Sequence, residues 1–219
     1  MRIPAASLCA LALACAASRP APQTARAPRP PVPLEEYFKA RRYAALSLDM
    51  SFSHDDRLVA FQSDAGGRLD LWVKPLDGGP ARQVTHVEGF IGSFAFSPAA
   101  DVLAYEADLG GDELPHLFLT DSNGSSPRDV TADYPKGRRT RFAQWAPDGK
   151  TFLYLSNLRD EKLLDLYEYD LSSGSARPIW VATGSLAFGA PDRAHRRFVL
   201  RETLSDKDTN LWLFERGGQ

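Results

Sequence analysis

Cysteine is nearly absent from this sequence, which has two among 219 residues. Both, Cys9 and Cys15, lie within the first 16 residues, so the rest of the chain has no thiol. This excludes disulfide frameworks, cysteine zinc sites and cysteine nucleophiles from the folded part. A large charge excess is missing too, because 26 basic residues oppose 28 acidic ones, for a net charge of -2. That balance argues against a generally basic nucleic-acid-binding protein.

An apolar run long enough to span a membrane comfortably is not found at the start of the chain. Ile3–Ala17 is an uncharged run of 15 residues, shorter than the roughly 20 that a membrane span needs. Because Arg2 precedes it and small residues follow, the run predicts a signal peptide over residues 1–16. Two processing routes stay open: cleavage after an A-x-A pattern, or lipid attachment at Cys15 in a lipobox-like sequence. Both predict export, to the periplasm or to a lipid-anchored position in the cell envelope.

The next segment, residues 17–33, is rich in Ala, Arg and Pro and contains six prolines. Such a composition favours an extended spacer without a packed core. Residues 1–33 hold four arginines and no acidic residue, which leaves 22 basic against 28 acidic residues for 34–219. The folded part is therefore more acidic than the whole chain. A possible lipid anchor is the only membrane contact that we expect.

The strongest pattern is an internal repeat. Four segments share an apolar run, a polar turn, a second apolar run and a third run with a polar residue, Leu and an aromatic residue. The aromatic residues of the third run are 46, 49 and 45 residues apart: Trp72, Phe118, Tyr167 and Trp212. A period of 40 to 50 residues with several short strands is typical of β-propeller blades.

The repeat predicts an all-β domain over residues 34–219, a partial propeller whose blades have four antiparallel strands. Its four blades cover about 45–86, 90–132, 138–181 and 184–219. The last blade has only three predicted strands, so we expect it to be incomplete and the chain to be truncated. One segment, Leu34–Leu46, is predicted as a short amphipathic helix before the first blade. If Trp72 is buried between strands, its replacement by Ala is expected to cost about 3 to 5 kcal/mol.

Two stretches carry a more specific resemblance. Leu71–Thr85, with its Asp-Gly-Gly-Pro turn, and Ala146–Lys150 resemble blades of TolB-type (PD40) propellers. Such blades also form the N-terminal domain of prolyl oligopeptidase family (S9) serine peptidases. Glu36–Arg42 and Gly110–Phe118 resemble segments of the dipeptidyl- and acylaminoacyl-peptidase branches of that family. The resemblance covers about residues 34–219.

The resemblance implies a propeller that filters what reaches a C-terminal α/β-hydrolase domain. No Gly-x-Ser-x-Gly motif occurs in the sequence, so no catalytic residue is assigned and the enzyme question stays open. We expect a noncatalytic gating and docking portion of an exported serine peptidase. The alternative is a stand-alone TolB-like periplasmic protein that binds a peptide or protein. No cofactor and no nucleic-acid partner are expected; the partner is a peptide, a protein or the missing hydrolase domain.

Binding candidates come from charged residues in loops. Asp112 and Glu113 lie in a Gly-flanked insertion, where two carboxylates can bind a substrate amine or a partner arginine, or else form a solvated loop. Arg138, Arg139 and Arg141 lead into the third blade and form either an anion site or a charged rim. A second basic cluster consists of Arg193, His195, Arg196 and Arg197.

The four histidines do not have metal-ligand spacing, so no metal site is predicted. His116 occupies the repeat position of Asp70, Asp165 and Asn210, and a group repeated in every blade indicates structural hydrogen bonding rather than catalysis. Asp121–Gly124 lacks the ligand order of a calcium loop and predicts a hairpin turn. An unclosed arc of blades also exposes apolar faces, which predicts that residues 34–219 alone self-associate or need a partner.

Overall fold

A computed structural model of the chain describes residues 50–192, 194 and 196–216. Within these residues, fifteen β-strands form four antiparallel sheets and no helix occurs. No described segment is therefore a helix that is long and apolar enough to cross a membrane. Four predicted features lie outside the described residues: the signal peptide, the spacer, lipid attachment at Cys15 and the Leu34–Leu46 helix. The structure therefore does not test these predictions.

Each sheet is one blade, and its strands follow the chain from one edge to the other. Blade 1 consists of β1 (Met50–Phe52), β2 (Leu58–Ser63), β3 (Asp70–Pro75) and β4 (Arg82–Gln83). Blade 2 consists of β5 (Ile91–Phe96), β6 (Leu103–Ala107), β7 (His116–Thr120) and β8 (Arg128–Asp129). Blade 3 consists of β9 (Thr140–Trp145), β10 (Thr151–Asp160), β11 (Leu163–Asp170) and β12 (Ser175–Trp180). Blade 4 consists of β13 (Ser185–Pro191), β14 (Arg197–Ser205) and β15 (Asp208–Glu215).

This architecture confirms the all-β prediction of four-stranded propeller blades with an incomplete last blade. Three sheets have four strands, and the fourth has three among the described residues. The short fourth strands of blades 1 and 2 are only two residues long. The first strands lie side by side, since β1 contacts β5 and β5 contacts β9. The first strands therefore form the inner edge of the arc and the fourth strands its outer edge.

The hydrophobic core consists of three clusters, one between each pair of neighbouring blades. In each cluster, small or aliphatic side chains of one blade pack against aromatic and large side chains of the next. Alternation along each strand produces the two faces, because successive residues point to opposite sides of a sheet. Leu71 in blade 1, Leu117 in blade 2 and Leu166 in blade 3 are all fully buried on the aliphatic face.

The aromatic residue of the third strand is less uniformly buried than its Leu neighbour. Tyr167 is buried, Trp72 and Phe118 are half-buried, and Trp212 is exposed. Trp72 pairs with Phe61 of β2, and its Nε1 donates to the carbonyl of Ser63 at 3.1 Å. The loss of 3 to 5 kcal/mol expected for a fully buried Trp72 therefore does not apply to it.

The polar residue of the third strand forms hydrogen bonds within its own blade. Asp70 Oδ1 accepts from Thr85 Oγ1 at 2.8 Å and from the Val87 N–H at 3.0 Å. Asp165 accepts two hydrogen bonds from Arg159, at 2.7 and 3.0 Å, and a third from the Ala182 N–H. These carboxylates hold the start of the connection from blade 1 to blade 2 and of the connection from blade 3 to blade 4. The sequence predicted that the polar residue of the third strand forms structural hydrogen bonds between blades. The observed hydrogen bonds are structural, but they lie within one blade and fix the connection that leaves it.

The turn at Asp121–Gly124 is a tight hairpin turn, as the sequence indicated. Asp121 Oδ1 accepts from the N–H groups of Asn123 and Ser125 at 2.8 and 2.9 Å. Gly124 has a φ of 75°, and a Cβ there would lie 2.3 Å from the carbonyl oxygen of Val84 in blade 1. Glycine is required because the backbone is left-handed and packs directly against the neighbouring blade.

Candidate binding surface at the long-loop end

Antiparallel order places two kinds of loop at the same end of the arc. The β2–β3, β6–β7, β10–β11 and β14–β15 loops lie there, and so do the connections that lead into β5, β9 and β13. We call this the long-loop end because it includes the insertion 108–115. The Asp112–Glu113 pair and the Arg138–Arg139 pair both lie at this end. The sequence alone did not predict that the two pairs share one end.

A groove of about 580 Å³ opens at the long-loop end between blades 1 and 2. Its apolar walls come from Leu69 and Pro115 together with Phe90 and Ile91, which begin blade 2. Phe90 is exposed although it is large and apolar, whereas Ile91 is buried. Its polar groups are the carboxylates of Asp108 and Glu113. Apolar walls with a few fixed polar groups are the usual composition of a ligand site.

Asp108 fixes the geometry of the groove. This buried carboxylate accepts from the Phe90 N–H at 2.5 Å through Oδ1 and from the Glu113 N–H at 3.3 Å through Oδ2. It thereby connects the insertion to the strand that starts blade 2. A Cβ on Gly89 would lie 1.8 Å from Asp108 Oδ1, so the chain passes the carboxylate closely at this point.

Glu113 has a left-handed backbone, with a φ of 60°, although it is not a glycine. Such a conformation is uncommon for side chains other than Asn and Asp, and it costs free energy that the surroundings must supply. Asp112 Oδ1 accepts from the Leu114 N–H at 3.0 Å, which supports the turn. Both predicted carboxylates are exposed; Glu113 lines the groove, whereas Asp112 supports the shape of the loop.

The side chain of Arg138 forms structural contacts with blade 3. Its Nη1 lies 3.0 Å from Glu161 Oε1, and its Nε donates to the Leu158 carbonyl at 3.3 Å. The guanidinium group thereby ties the connection after blade 2 to the β10–β11 turn of blade 3. Arg139 and Arg141 are exposed, and the Arg139 N–H donates to Asn157 Oδ1 at 2.7 Å. Arg139 and Arg141 are thus the freer of the three predicted arginines.

The insertion and the basic connection touch each other at one point. Thr140 donates to the Pro115 carbonyl from its N–H at 2.8 Å and from its Oγ1 at 2.9 Å. Because Pro115 closes the insertion and Thr140 follows Arg139, the acidic loop and the basic connection are neighbours. The long-loop end therefore has an acidic groove next to a basic rim.

Glu106 is a buried carboxylate that is not among the predicted site residues. Its Oε1 accepts from the Ser93 N–H at 2.6 Å, and its Oε2 accepts from the Phe142 N–H at 3.1 Å. Burial raises the pKa of Glu106, although these two N–H groups and the charge of Arg141 act in the opposite direction. The residue connects the inner strands of blades 2 and 3. A single charged residue inside the otherwise apolar strand β6 was the available signal.

The described residues of the second predicted basic cluster, Arg196 and Arg197, lie at the opposite end of the arc. Arg196 and Arg197 follow the β13–β14 turn, where their N–H groups donate to Asp192 Oδ1 at 2.8 and 3.1 Å. Arg193 and His195 are outside the described residues. The two basic clusters of the sequence therefore do not form one site.

Metal binding receives no support from the described part of the chain. It contains no group of three His, Cys, Asp or Glu side chains placed to hold an ion. His116 instead pairs with Asp129, whose Oδ2 lies 2.7 Å from the ring Nδ1. Asp129 Oδ1 also accepts from Thr131, so blade 2 uses this pair where blade 1 uses Asp70.

A second groove, also of about 580 Å³, lies between the inner strands β5 and β9. Its walls include Phe94, Phe142 and Trp145, and the Trp145 Nε1 donates to the Ala95 carbonyl at 3.0 Å. Gln144 also lines it, and its buried Nε2 has no hydrogen-bond partner among the described residues. This groove has no charged side chain, so it offers less specific recognition than the groove at Glu113.

Neither a protein-family model nor a curated protein matches the sequence. Solved structures do match. TolB from Acinetobacter baumannii superposes with a TM-score of 0.59 at 21% identity, over 77% of this chain and 40% of that one. A puromycin-hydrolyzing peptidase from Mycobacterium tuberculosis gives a TM-score of 0.59 at 16% identity, over 80% and 30%. An oligogalacturonate lyase in complex with manganese gives 0.62 at 15% identity, over 77% and 50%.

These similarities establish the fold, which is that of the TolB and S9 peptidase propellers and agrees with the resemblance seen in the sequence. The chain spans between 30% and 50% of the length of these three proteins. At such low identity, a shared propeller does not carry function from one protein to another, since one fold serves TolB, a peptidase and a lyase.

Proposed function

We propose that this chain is the noncatalytic, substrate-docking propeller of an exported serine peptidase of the prolyl oligopeptidase type. The groove between blades 1 and 2 is its peptide-docking site. The supporting observation is Glu113, which is held in a left-handed conformation at the edge of an apolar groove. Resemblance of the Gly110–Phe118 segment to acylaminoacyl- and dipeptidyl-peptidases is consistent with this role.

The chemistry of the groove selects the ligand. Leu69, Phe90 and Pro115 offer an apolar surface, and the carboxylate of Glu113 offers a negative charge beside it. A peptide with a free amino terminus and an apolar first side chain presents the complementary groups. Asp108 already accepts two backbone N–H groups and holds the site together, so Glu113 is the carboxylate that meets the ligand.

Peptide binding tests this proposal. Binding of an apolar tripeptide with a free amino terminus, measured by calorimetry, is expected to weaken about tenfold in Glu113→Gln, because a charge-assisted hydrogen bond contributes roughly 1.5 kcal/mol. N-acetylation of the same peptide is expected to weaken binding equally, without a further loss in the variant. Asp206→Asn is the control, since it removes one exposed charge from the β14–β15 turn at the same end. Equal affinity of Glu113→Gln and the parent protein for both peptides contradicts the proposal.

A second test concerns catalysis. The sequence contains no Gly-x-Ser-x-Gly, so the purified chain is expected to hydrolyse neither peptide nor ester substrates. The assay uses fluorogenic aminoacyl and acylaminoacyl substrates at high protein concentration. Activity that persists through repeated purification and is blocked by a serine-directed phosphonate contradicts a noncatalytic role.

The alternative function is that of a stand-alone TolB-like periplasmic protein that binds a peptide or protein partner. The TolB fold, which matches 77% of this chain, is compatible with this alternative and with the peptidase alike. The two functions differ in what the gene encodes after Gln219. Further blades followed by a Gly-x-Ser-x-Gly support the peptidase, and further blades without that motif support the TolB-like protein.

A further inference from the structure

Arg139 occupies in blade 3 the position that Phe90 occupies in blade 2. Each residue directly precedes the first strand of its blade. The Phe90 N–H donates to Asp108 at 2.5 Å, and the Arg139 N–H donates to Asn157 Oδ1 at 2.7 Å. Asp108 and Asn157 are equivalent as well, because each follows the residue that pairs with the polar residue of the third strand. The repeat therefore predicts the surroundings of Arg139 from those of Phe90.

This equivalence places Arg139 at the blade 3 side of the groove between blades 1 and 2. Phe90 lines that groove together with Leu69, which directly precedes the third strand of blade 1. Pro115 precedes the third strand of blade 2 in the same way, so Arg139 is expected beside Pro115. Thr140, which follows Arg139, donates twice to the Pro115 carbonyl. Because Pro115 also lines the groove, Arg139 lies at its edge.

The Arg139 guanidinium is available to a ligand. The residue is exposed, and its side chain has neither a hydrogen bond nor an ion pair with another described residue. Its backbone is fixed, because its N–H donates to Asn157 Oδ1 and its carbonyl accepts from the Asn157 N–H at 3.4 Å. Arg138, by contrast, is held by Glu161 and by the Leu158 carbonyl. Arg139 is therefore an available cation on a fixed backbone.

Glu113 and Arg139 are close enough to hold the two ends of a short peptide. Glu113 lies two residues before Pro115, and Arg139 directly precedes Thr140. The 2.8 Å hydrogen bond between Thr140 and Pro115 thus keeps the Cα atoms of Glu113 and Arg139 within about 15 Å, even if both links are fully extended. An extended peptide advances about 3.4 Å per residue, so up to about five residues fit between the two charged groups.

We propose that Arg139 binds the C-terminal carboxylate of the peptide whose amino terminus meets Glu113. The planar donors of a guanidinium group match a carboxylate with two parallel hydrogen bonds, which suits arginine to this task. The inference rests on the proposed function and deepens it, because it names the ligand class. The groove takes oligopeptides of up to about five residues with both ends free, and it does not select internal segments of a longer chain.

Calorimetry with end-modified peptides tests this assignment. C-terminal amidation of the tripeptide Leu-Ala-Ala is expected to weaken its binding to the parent protein about three- to fivefold, the effect of an exposed ion pair. Arg139→Gln is expected to weaken binding of the unmodified peptide by the same factor and to abolish the effect of amidation, whereas Arg139→Lys restores part of it. A parent protein that binds both peptides equally, or an Arg139→Gln variant that still distinguishes them, overturns the proposal.

Arg128→Gln is the matched control for the change of charge. It removes an exposed arginine from β8, at the opposite end of the arc, and is expected to leave the effect of amidation unchanged. An Arg139→Gln variant that still responds to N-acetylation of the peptide is folded and has an intact groove. An effect of amidation that Arg128→Gln abolishes as fully as Arg139→Gln overturns the assignment to Arg139.

Peptide length provides a second readout. An octapeptide that begins with Leu-Ala-Ala is too long to place both ends, so its binding is expected to respond to N-acetylation but not to amidation. An octapeptide that responds to amidation as strongly as the tripeptide overturns the length limit. The proposed function fails in a different way, through peptides whose N-acetylation has no effect on binding. Loss of the amidation effect alone overturns the role of Arg139 and leaves the proposed function standing.

Discussion

Replacing Phe152 with Ala is expected to lower the free energy of unfolding by about 3 to 5 kcal/mol. Phe152 is fully buried on the aromatic face of blade 3. Its ring lies 5.0 Å from that of Tyr169 and 5.2 Å from that of Trp145, measured between ring centroids. The substitution leaves a cavity between blades 2 and 3. The neighbouring rings cannot collapse fully into this cavity, so the lost packing is not recovered.

Urea denaturation measures this loss, with the m-value as a check that the transition stays cooperative. Phe52→Ala is the matched control, because it removes the same ring from the exposed side of β1 and is expected to cost less than 1 kcal/mol. A loss below 1 kcal/mol for Phe152→Ala contradicts the placement of this ring between blades 2 and 3.

The second large effect is expected at Glu106. Glu106→Ala removes the acceptor of two backbone N–H groups, those of Ser93 and Phe142, in a buried place. Each buried donor without an acceptor costs about 1 to 3 kcal/mol, so the variant is expected to lose about 2 to 5 kcal/mol. Glu88→Ala, which removes an exposed carboxylate from the connection between blades 1 and 2, is expected to change stability by less than 0.5 kcal/mol.

The loss at Glu106 is expected to depend on pH. Burial raises the pKa of the folded Glu106 above that of the unfolded chain, so its full stabilising contribution is present below the unfolded pKa. The contribution decreases as the pH rises through the folded pKa, because the charged form is the less favoured one in the protein. The gap in stability between the parent protein and Glu106→Ala is therefore expected to narrow from about pH 4 upward. A gap that widens over this range contradicts the assigned direction.

Much of the fold was predictable because the repeat consists of local sequence patterns. The polar-Leu-aromatic motif places Leu71, Leu117 and Leu166 on one face of each third strand, and all three are buried. Asn123 and Gly124 predict a tight turn from the backbone freedom of glycine, and a tight turn is present. Burial of Trp72 was less predictable, because it depends on what covers the aromatic face of blade 1 and not on the strand itself.

The candidate site was predicted only in part. Loop composition identified Asp112, Glu113 and the three arginines, but not which of them face a groove. Arg138 is engaged with Glu161, whereas Glu113 lines the groove beside Asp108. Glu106 and Asp108 were missed because each accepts a hydrogen bond from a residue 13 or more positions away, which no local pattern reports.

The sequence by itself determined the repeat, the strand order within each blade and the acidic, cysteine-free character of the folded part. Its period and its alternation act locally, through turns and through the two faces of a strand. Only the tertiary structure decided which faces find a partner and which charges share one end. Those outcomes depend on how successive blades pack. Leu117 and Leu211 occupy the same position in the repeat, yet Leu117 is buried and Leu211 is exposed.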